Sequence, residues 1–309
     1  MQKLIVIAGP TAVGKSAVAL ELAKRLQSEI ISADSVQVYR GLDIGTAKPS
    51  AAEQAQVPHH LLNIKDPHET YTVAEFQKDA RLAIAQVHQR SKVPLLVGGT
   101  GLYLRAVVWG FAFSESGINH ALRKKLRSIA EINGPEVLHH QLQAVDPQTA
   151  RQLHPHDLRR VIRALEVYAQ NRRPISEQVE KTPTKPVYDT VQFVLTRSRE
   201  TLYERIEARV EAMIEAGLIR EVQFLLATGV SPEAKAMQSL GYKQIAAYLT
   251  GQMPLVEAIE RIKRDTRRFA KRQLTWFRRE KEMHWINLDD LQLNEVVKNI
   301  SNSLAGNYF

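Results

Sequence analysis

Short runs of consecutive apolar residues alternate along this chain with stretches in which apolar positions recur every three or four residues. Leu4–Ala8 is an unbroken, β-branched run bounded by Gly9-Pro10 and predicts a strand buried on both faces, the pattern of a parallel sheet. Glu29–Ser35 (EIISADS), Val93–Val97 (VPLLV), Thr190–Thr196 (TVQFVLT) and His284–Leu288 (HWINL) predict further strands. Ala17–Leu26 and Tyr71–Gln89 read as helices, the second with Val73, Phe76, Ala80, Ile84 and Val87 along one stripe. Leu202–Ala227 predicts one long amphipathic helix, Pro254–Lys281 another, and Leu291–Leu304 a closing helix. Strands alternating with helices imply an α/β fold around a central parallel sheet.

One stretch breaks the alternation. From residue 112 to 186 the strand signal stops, and the segment is helical in composition, basic in patches and punctuated by Gly134-Pro135, Asp146-Pro147, Pro155 and Pro174. It predicts a helical lobe at 112–186 inserted into a core made of 1–111 and 187–309. The 309 residues suffice for such a core and lobe. A content of 44% hydrophobic and 24% charged residues is that of a globular protein. No run of about 18 apolar residues is present, so no membrane span is expected. The absence of cysteine excludes disulfides and thiolate metal sites and suits a cytoplasmic protein. The formal net charge of +9 favours an anionic macromolecular partner if the basic residues cluster. A monomer is the expected state.

The first strand runs into Gly9-Pro10-Thr11-Ala12-Val13-Gly14-Lys15-Ser16, which matches G-x-x-x-x-G-K-[ST] with a helix behind it. Strand, glycine loop and helix in this order make a polyphosphate cradle. The loop curls so that successive N–H groups point inward, and the helix N-terminus adds positive potential. Lys15 supplies a point charge, and the Ser16 hydroxyl is placed to ligate Mg²⁺. The fold expected is therefore a P-loop NTPase-like core with an inserted helical lobe.

Asp34 stands at the end of the second strand, where ligands gather in open parallel sheets. It is either a group in the crevice or an Asx turn, a common fate for Asp after a strand. The segment Val36–Pro49 is too polar and glycine-rich for a central strand. His59 and His60 form a pair without a third ligand at characteristic spacing. Val93–Val97 leads into Gly98-Gly99-Thr100-Gly101, either a plain turn or a close backbone approach to a ligand with Thr100 as polar contact. Arg205 and Arg209 share a helix face at i, i+4, where solvation is the default expectation. Between Arg261 and Lys281 stand ten basic residues, opposed only by Asp265 and Glu280 and interleaved with Phe269, Trp276 and Phe277. So lopsided a face repels itself without an anionic partner, which points to nucleic acid.

A phosphate loop alone is compatible with phosphoryl transfer, which wants an acid at the end of an apolar strand to hold the shell of Mg²⁺. Here Pro94–Val97 ends in Gly-Gly-Thr, and Leu61–Asp66 is a weak substitute. The loop then serves a diphosphate that leaves, without phosphoryl transfer. Two other functions compete: a P-loop kinase of a nucleoside or other small molecule, which leaves the basic helix idle, and an ATP-switched RNA-binding protein, which gives Asp34 and Thr100 no task.

GPTAVGKS (9–16), SADSVQVYRGLDIGTAKP (32–49), VGGTGLY (97–103), HPHDLRRVIRALEV (154–167), LYERIEARVEAMIEAGLIREV (202–222), AMQSLGYKQ (236–244) and KRQLTWFRRE (271–280) together resemble the bacterial tRNA dimethylallyltransferases, also called tRNA isopentenyltransferases. The resemblance spans nearly the whole chain, and segment 32–49 with the GGTGLY turn is far more specific than the phosphate loop. Arg159-Arg160 varies the family's usual Gln-Arg pair. The resemblance implies transfer of a dimethylallyl group from dimethylallyl diphosphate to the N6 amine of the adenosine on the 3′ side of the anticodon. It implies Asp34 as the base, and Lys15, Arg209, the loop residues 9–16 and Mg²⁺ on Ser16 as the diphosphate site. It also implies that Thr100 touches a flipped nucleotide. Asp34, Ser35, Val36 and Gln37, with Arg123 and Arg159, Arg160, Val161, Ile162 and Arg163, would meet the anticodon stem-loop. From the basic helix, Arg267, Arg268, Lys271 and Arg272 are the expected RNA contacts.

Overall fold

In the computed structural model the residues described are 1–113, 117–179, 185–280 and 282–305. The strands are β1 (Lys3–Ala8), β2 (Ile30–Ser32), β3 (His59–His60), β4 (Leu95–Gly98), β5 (Asp189–Thr196) and β6 (His284–Asn287). They form one sheet in the order β3-β2-β4-β1-β5-β6, and every pairing is parallel. β1 is central because its run Leu4–Ala8 has no polar side chain to expose; all five residues are fully buried. Ile5 and Ile7 pack with Val18 and Leu22 of the helix Lys15–Arg25 and with Val296 and Ile300 of the helix Leu293–Ala305. Each such side chain contributes about 1.5–3 kcal/mol by leaving water. The helix Val73–Gln89 starts at a capping box between Thr72 and Glu75 and buries Phe76, Ala80, Ile84 and Val87, four of the five positions of its predicted stripe.

Three elements differ from the sequence reading. The stretch 202–227 is two helices, Arg199–Glu215 and Leu218–Ala227, because Gly217 adopts a left-handed φ of 103° between them. β2 stops at Ser32, since Asp34 turns the chain by capping two backbone N–H groups. β3 is an edge strand of two histidines, too short and polar to carry a period. The basic segment is a helix over Leu255–Phe277, 23 residues or about 35 Å long; Lys281 lies outside the described residues. Among the described residues no helix is long and apolar enough to cross a membrane.

The chain divides into two compact units, Met1–Val108 with Pro186–Phe309, and Trp109–Lys185. The second unit is helical throughout its regular structure, with its main helices at His120–Asn133, Pro135–Val145 and Leu158–Asn171. Its own apolar core includes Leu126, Leu138, Leu142, Val161 and Leu165.

Candidate active site

Ala8 of β1 is in register with Gly98 of β4, and Ser32 of β2 with Val97. Three segments therefore leave the carboxyl edge of the sheet at one level: the phosphate loop, the turn at Asp34 and the glycine turn at 98–101. Open parallel sheets bind their ligands at that edge. Thr11, Lys15, Ser16, Ser32, Asp34, Gln37, Gly98 and Gly99 line one cleft there with Thr46, His59, Arg209, Phe269 and Gln273.

The phosphate loop is held by its carbonyls. Lys15 Nζ donates to Pro10 O at 2.7 Å, Arg205 Nε to Ala12 O at 2.9 Å and Arg197 Nε to Val13 O at 3.1 Å. The C=O and N–H of one trans peptide point in opposite directions, so fixing the Val13 carbonyl also fixes the N–H of Gly14. The helix behind the loop has Gly14 as N-cap and no side-chain cap, which leaves first-turn N–H groups for an anion. Arg205 is exposed, as expected of a solvated position, and also frames the loop through this bond.

Arg209, one turn further along the same helix, enters the cleft and donates to Thr46 O at 3.3 Å. Burial lowers its pKa, with Asp34 opposing. Burial, and next the charge of Arg209, push the Lys15 ammonium down to about 7, again against Asp34. Two cations facing one carboxylate leave a positive cleft that an anion would relieve.

Asp34 fulfils the turn reading with one oxygen. Its Oδ1 accepts from Val36 N at 2.8 Å and Gln37 N at 3.2 Å. Oδ2 has no hydrogen bond among the described residues, and Asp34 is one of the residues lining the cleft. A turn role and a role toward a ligand are therefore compatible in one side chain. The Ser16 hydroxyl is exposed at the head of its helix, without an intramolecular hydrogen bond among the described residues.

Gln273 was not singled out by sequence. It sits at 7% exposure on the buried face of the basic helix, with Ala258, Ile262, Ala270 and Phe277. Its Oε1 accepts from Thr11 N at 2.9 Å, and its Nε2 donates to Gly99 O at 2.9 Å. A Cβ on Gly99 would collide with that amide, and a Cβ on Gly98 with the Ala33 carbonyl. The two glycines therefore serve close packing. The available signal was a lone amide on an otherwise apolar helical stripe.

Other expected residues are placed differently. Thr100 is not among the cleft-lining residues; its carbonyl accepts from Tyr103 N and Leu104 N at the start of the helix Gly101–Trp109. Gln37 is engaged internally, accepting from Ser32 Oγ and donating to the carbonyls of Thr46 and Ala47. Ser35 and Val36 are half-buried beside it. Asp66, the weak substitute acid, pairs with Arg40 at 3.2 Å and does not line the cleft. His59 does line it, with Nδ1 on Val57 O, and burial holds the imidazole below the usual range. His60 instead joins Glu29 at 2.8 Å. No group of three His, Asp or Glu side chains able to hold a metal occurs among the described residues.

In the helical unit, Val161 and Ile162 are 0% and 4% exposed within its core, which corrects their expected role: their side chains offer no surface to RNA. Arg123 and Arg163 turn onto the buried Glu166, Arg123 in a two-pronged pair at 2.9 and 2.7 Å and Arg163 at 2.6 Å. These bonds hold the Glu166 carboxyl below the usual range against the effect of burial. Arg159 and Arg160 are exposed. On the basic helix, Arg267 is half-buried and paired with Glu207 at 2.6 Å, and Lys263 with Glu211 at 3.0 Å. Arg268, Lys271 and Arg272 are exposed, with Arg272 also stacked near the Phe269 ring.

A parallel sheet with β1 between β4 and β5, a phosphate loop leaving β1 and a cationic cleft at the strand ends defines a P-loop NTPase-like α/β protein with a helical unit inserted in the chain. A family model described as IPP transferase matches residues 37–280, and the chain belongs to this family. It is 53% identical over 287 residues to a tRNA dimethylallyltransferase of Desulforudis audaxviator, covering 93% of this chain and 92% of that one. It is 48% identical over 309 residues to the tRNA dimethylallyltransferase of Carboxydothermus hydrogenoformans, covering 100% and 99%. Among solved structures, the full-length tRNA isopentenylpyrophosphate transferase of Bacillus halodurans superposes with a TM-score of 0.75 at 43% identity, covering 99% of this chain and 96% of that one. A eukaryotic dimethylallyltransferase described as acting on tRNA gives a TM-score of 0.84 at 30% identity, covering 100% of this chain and 79% of its own.

Proposed function

We propose that this protein transfers the dimethylallyl group of dimethylallyl diphosphate to the N6 amine of the adenosine 3′-adjacent to the anticodon in tRNA. The allylic C–O bond breaks, the C–N bond forms, diphosphate leaves and one amine proton is removed. The observation that carries this reading is Asp34, whose Oδ2 has no hydrogen bond among the described residues, lining the same cleft as the phosphate-loop residues and Arg209. An exocyclic adenine amine is a weak nucleophile because its lone pair is delocalised, and a carboxylate taking its proton removes that handicap. Lys15, Arg209 and the loop residues Thr11 and Ser16 line the same cleft as Asp34, and Lys15, the loop N–H groups and Arg209 would stabilise the charge that grows on the leaving diphosphate.

Mg²⁺ fits the donors present. The Ser16 hydroxyl supplies one oxygen, and diphosphate and water oxygens would complete a shell that Mg²⁺ seldom takes wholly from protein. When bound, the ion neutralises charge on the departing diphosphate. For tRNA, the reading assigns the anticodon stem-loop to the exposed Arg159 and Arg160 and to Arg268, Lys271 and Arg272. The names of the relatives support tRNA as the acceptor. Phosphoryl transfer is less well served, since the end of β4 carries Gly98-Gly99 in place of an acid.

Incubation with unmodified tRNA, Mg²⁺ and labelled dimethylallyl diphosphate tests the proposal. Label on adenosine N6 next to the anticodon is expected, with no ATP turnover. ATP hydrolysis without base-linked label would overturn it.

A further inference from the structure

The motifs LIREV (218–222) and SLGYKQ (239–244) have no part in the chemistry above, yet they meet at one point. Glu221, on the helix Leu218–Ala227, accepts from three successive backbone N–H groups: Asp43 at 3.1 Å, Ile44 at 2.8 Å and Gly45 at 3.3 Å. The Tyr242 hydroxyl donates to the same carboxylate at 2.5 Å. Successive N–H groups converging on one centre make an anion nest, and here the anion is a side chain of the protein itself. The nest is tightly built. A Cβ on Gly45 would come within 2.5 Å of the Tyr242 ring and 2.9 Å of Leu218. Burial, and next the Glu221 charge, raise the pKa of the Tyr242 phenol, so it remains a donor.

Immediately beyond Gly45 the chain becomes the far wall of the cleft. Thr46, Ala47 and Pro49 line it, and the Thr46 carbonyl receives Arg209 at 3.3 Å and Gln37 Nε2 at 3.2 Å. The loop's other end is pinned by Lys48, whose ammonium reaches Tyr39 O at 2.7 Å and Asn63 Oδ1 at 2.6 Å. A loop held at both ends presents one carbonyl to the guanidinium that faces the diphosphate.

We propose that Glu221 is a positioning residue for the transfer: by filling the nest at 43–45 it fixes the Thr46 carbonyl, and through it the aim of Arg209. The proposal rests on the reading that Arg209 serves the diphosphate. The test compares Glu221→Ala, Glu221→Gln, Arg209→Ala and the Glu221→Ala/Arg209→Ala double variant. Steady-state kinetics in both substrates, tRNA binding and thermal unfolding are measured for each. Glu221→Ala should raise KM for dimethylallyl diphosphate about tenfold, while tRNA affinity changes less than about threefold. Acetate should restore part of the loss by entering the vacated nest, whereas chloride at equal ionic strength should not. The double variant should be no worse than Arg209→Ala alone, because both act through one guanidinium. If Glu221→Ala fails to fold, Glu221→Gln, which keeps one acceptor oxygen, carries the same comparison with a smaller effect. An unchanged diphosphate KM, or full additivity with Arg209→Ala, would overturn the proposal and leave Glu221 a stabilising contact. Normal turnover by Arg209→Ala alone would instead remove the diphosphate reading of Arg209, and the proposal with it.

Discussion

Gln273 takes the backbone N–H of Thr11 at 2.9 Å across a separation of 262 residues in sequence. Its Nε2 donates a hydrogen bond to the Gly99 carbonyl. One amide on the basic helix therefore ties the phosphate loop to the glycine turn after β4. The exposed cations Arg268, Lys271 and Arg272 and the cleft-lining Phe269 and Gln273 stand on one helix.

Removing this tie has a calculable cost. Gln273→Leu preserves most of the side chain's bulk but leaves a Thr11 N–H and a Gly99 carbonyl without their partner. Unfolding in urea should show a loss of about 1–3 kcal/mol. Affinity for dimethylallyl diphosphate should fall as well, because the Thr11 segment is no longer fixed. A variant as stable as the parent, with unchanged diphosphate affinity, would show that the two hydrogen bonds are dispensable.

The ion pairs divide the basic helix into unequal halves. Arg267 is half-buried and paired with Glu207 at 2.6 Å, whereas Arg268, which approaches Asp265 only at 3.8 Å, Lys271 and Arg272 are exposed. Replacing the last three with Ala should weaken tRNA binding and flatten its log–log salt dependence by about 0.7–0.9 per lost phosphate contact. Arg267→Ala should barely move the slope. Filter binding across a salt series measures both, and equal slopes for all variants would place the RNA elsewhere.

Glu29 makes a pH prediction. It is 2% exposed and receives Arg90 through two nitrogens at 2.9 and 2.7 Å, Lys92 at 3.1 Å and His60 at 2.8 Å. The Arg90 bonds foremost, with His60 and Lys92, lower its pKa to about 2 against the effect of burial. A carboxyl depressed on folding stabilises the protein above its unfolded value, and that contribution is lost as pH falls from about 4.5 to about 2. The loss should be on the order of 2–3 kcal/mol. Glu29→Gln should be less stable at neutral pH and should flatten the acid limb of a stability-versus-pH curve measured by chemical denaturation.

What could be read beforehand was local. The strand Leu4–Ala8, the loop to Ser16 and the helix behind it are adjacent in sequence, so their geometry comes from residue order alone. The stripe of Val73–Gln89 and the basic run were equally legible, being periodic or compositional. Gln273, Arg197 and Glu221 were not, because their partners at Thr11, Val13 and Asp43–Gly45 lie more than a hundred residues away. The break at Gly217 was missed since one glycine is weak evidence against a 26-residue amphipathic pattern. Val161 and Ile162 show the limit of carrying a motif over whole: within 159–163, Arg159 and Arg160 are exposed, Val161 and Ile162 are core positions and Arg163 pairs with Glu166, which only the packed helix separates.

Asp34 offers the sharpest division between structure and chemistry, because its two oxygens have separate surroundings. Oδ1 holds the turn through Val36 N and Gln37 N. Asparagine retains an oxygen able to accept both bonds and caps about as well as aspartate, so Asp34→Asn should keep its stability within about 0.5 kcal/mol. What it lacks is a second carboxylate oxygen that can take a proton. If Oδ2 is the base for the adenine amine, single-turnover prenylation should fall by at least about a hundredfold, the lower end of what general-base loss removes. Binding of tRNA and of diphosphate should persist, measured with the non-reacting partner absent. Near-normal single-turnover chemistry in a well-folded Asp34→Asn would confine Asp34 to its turn and require another base in the cleft.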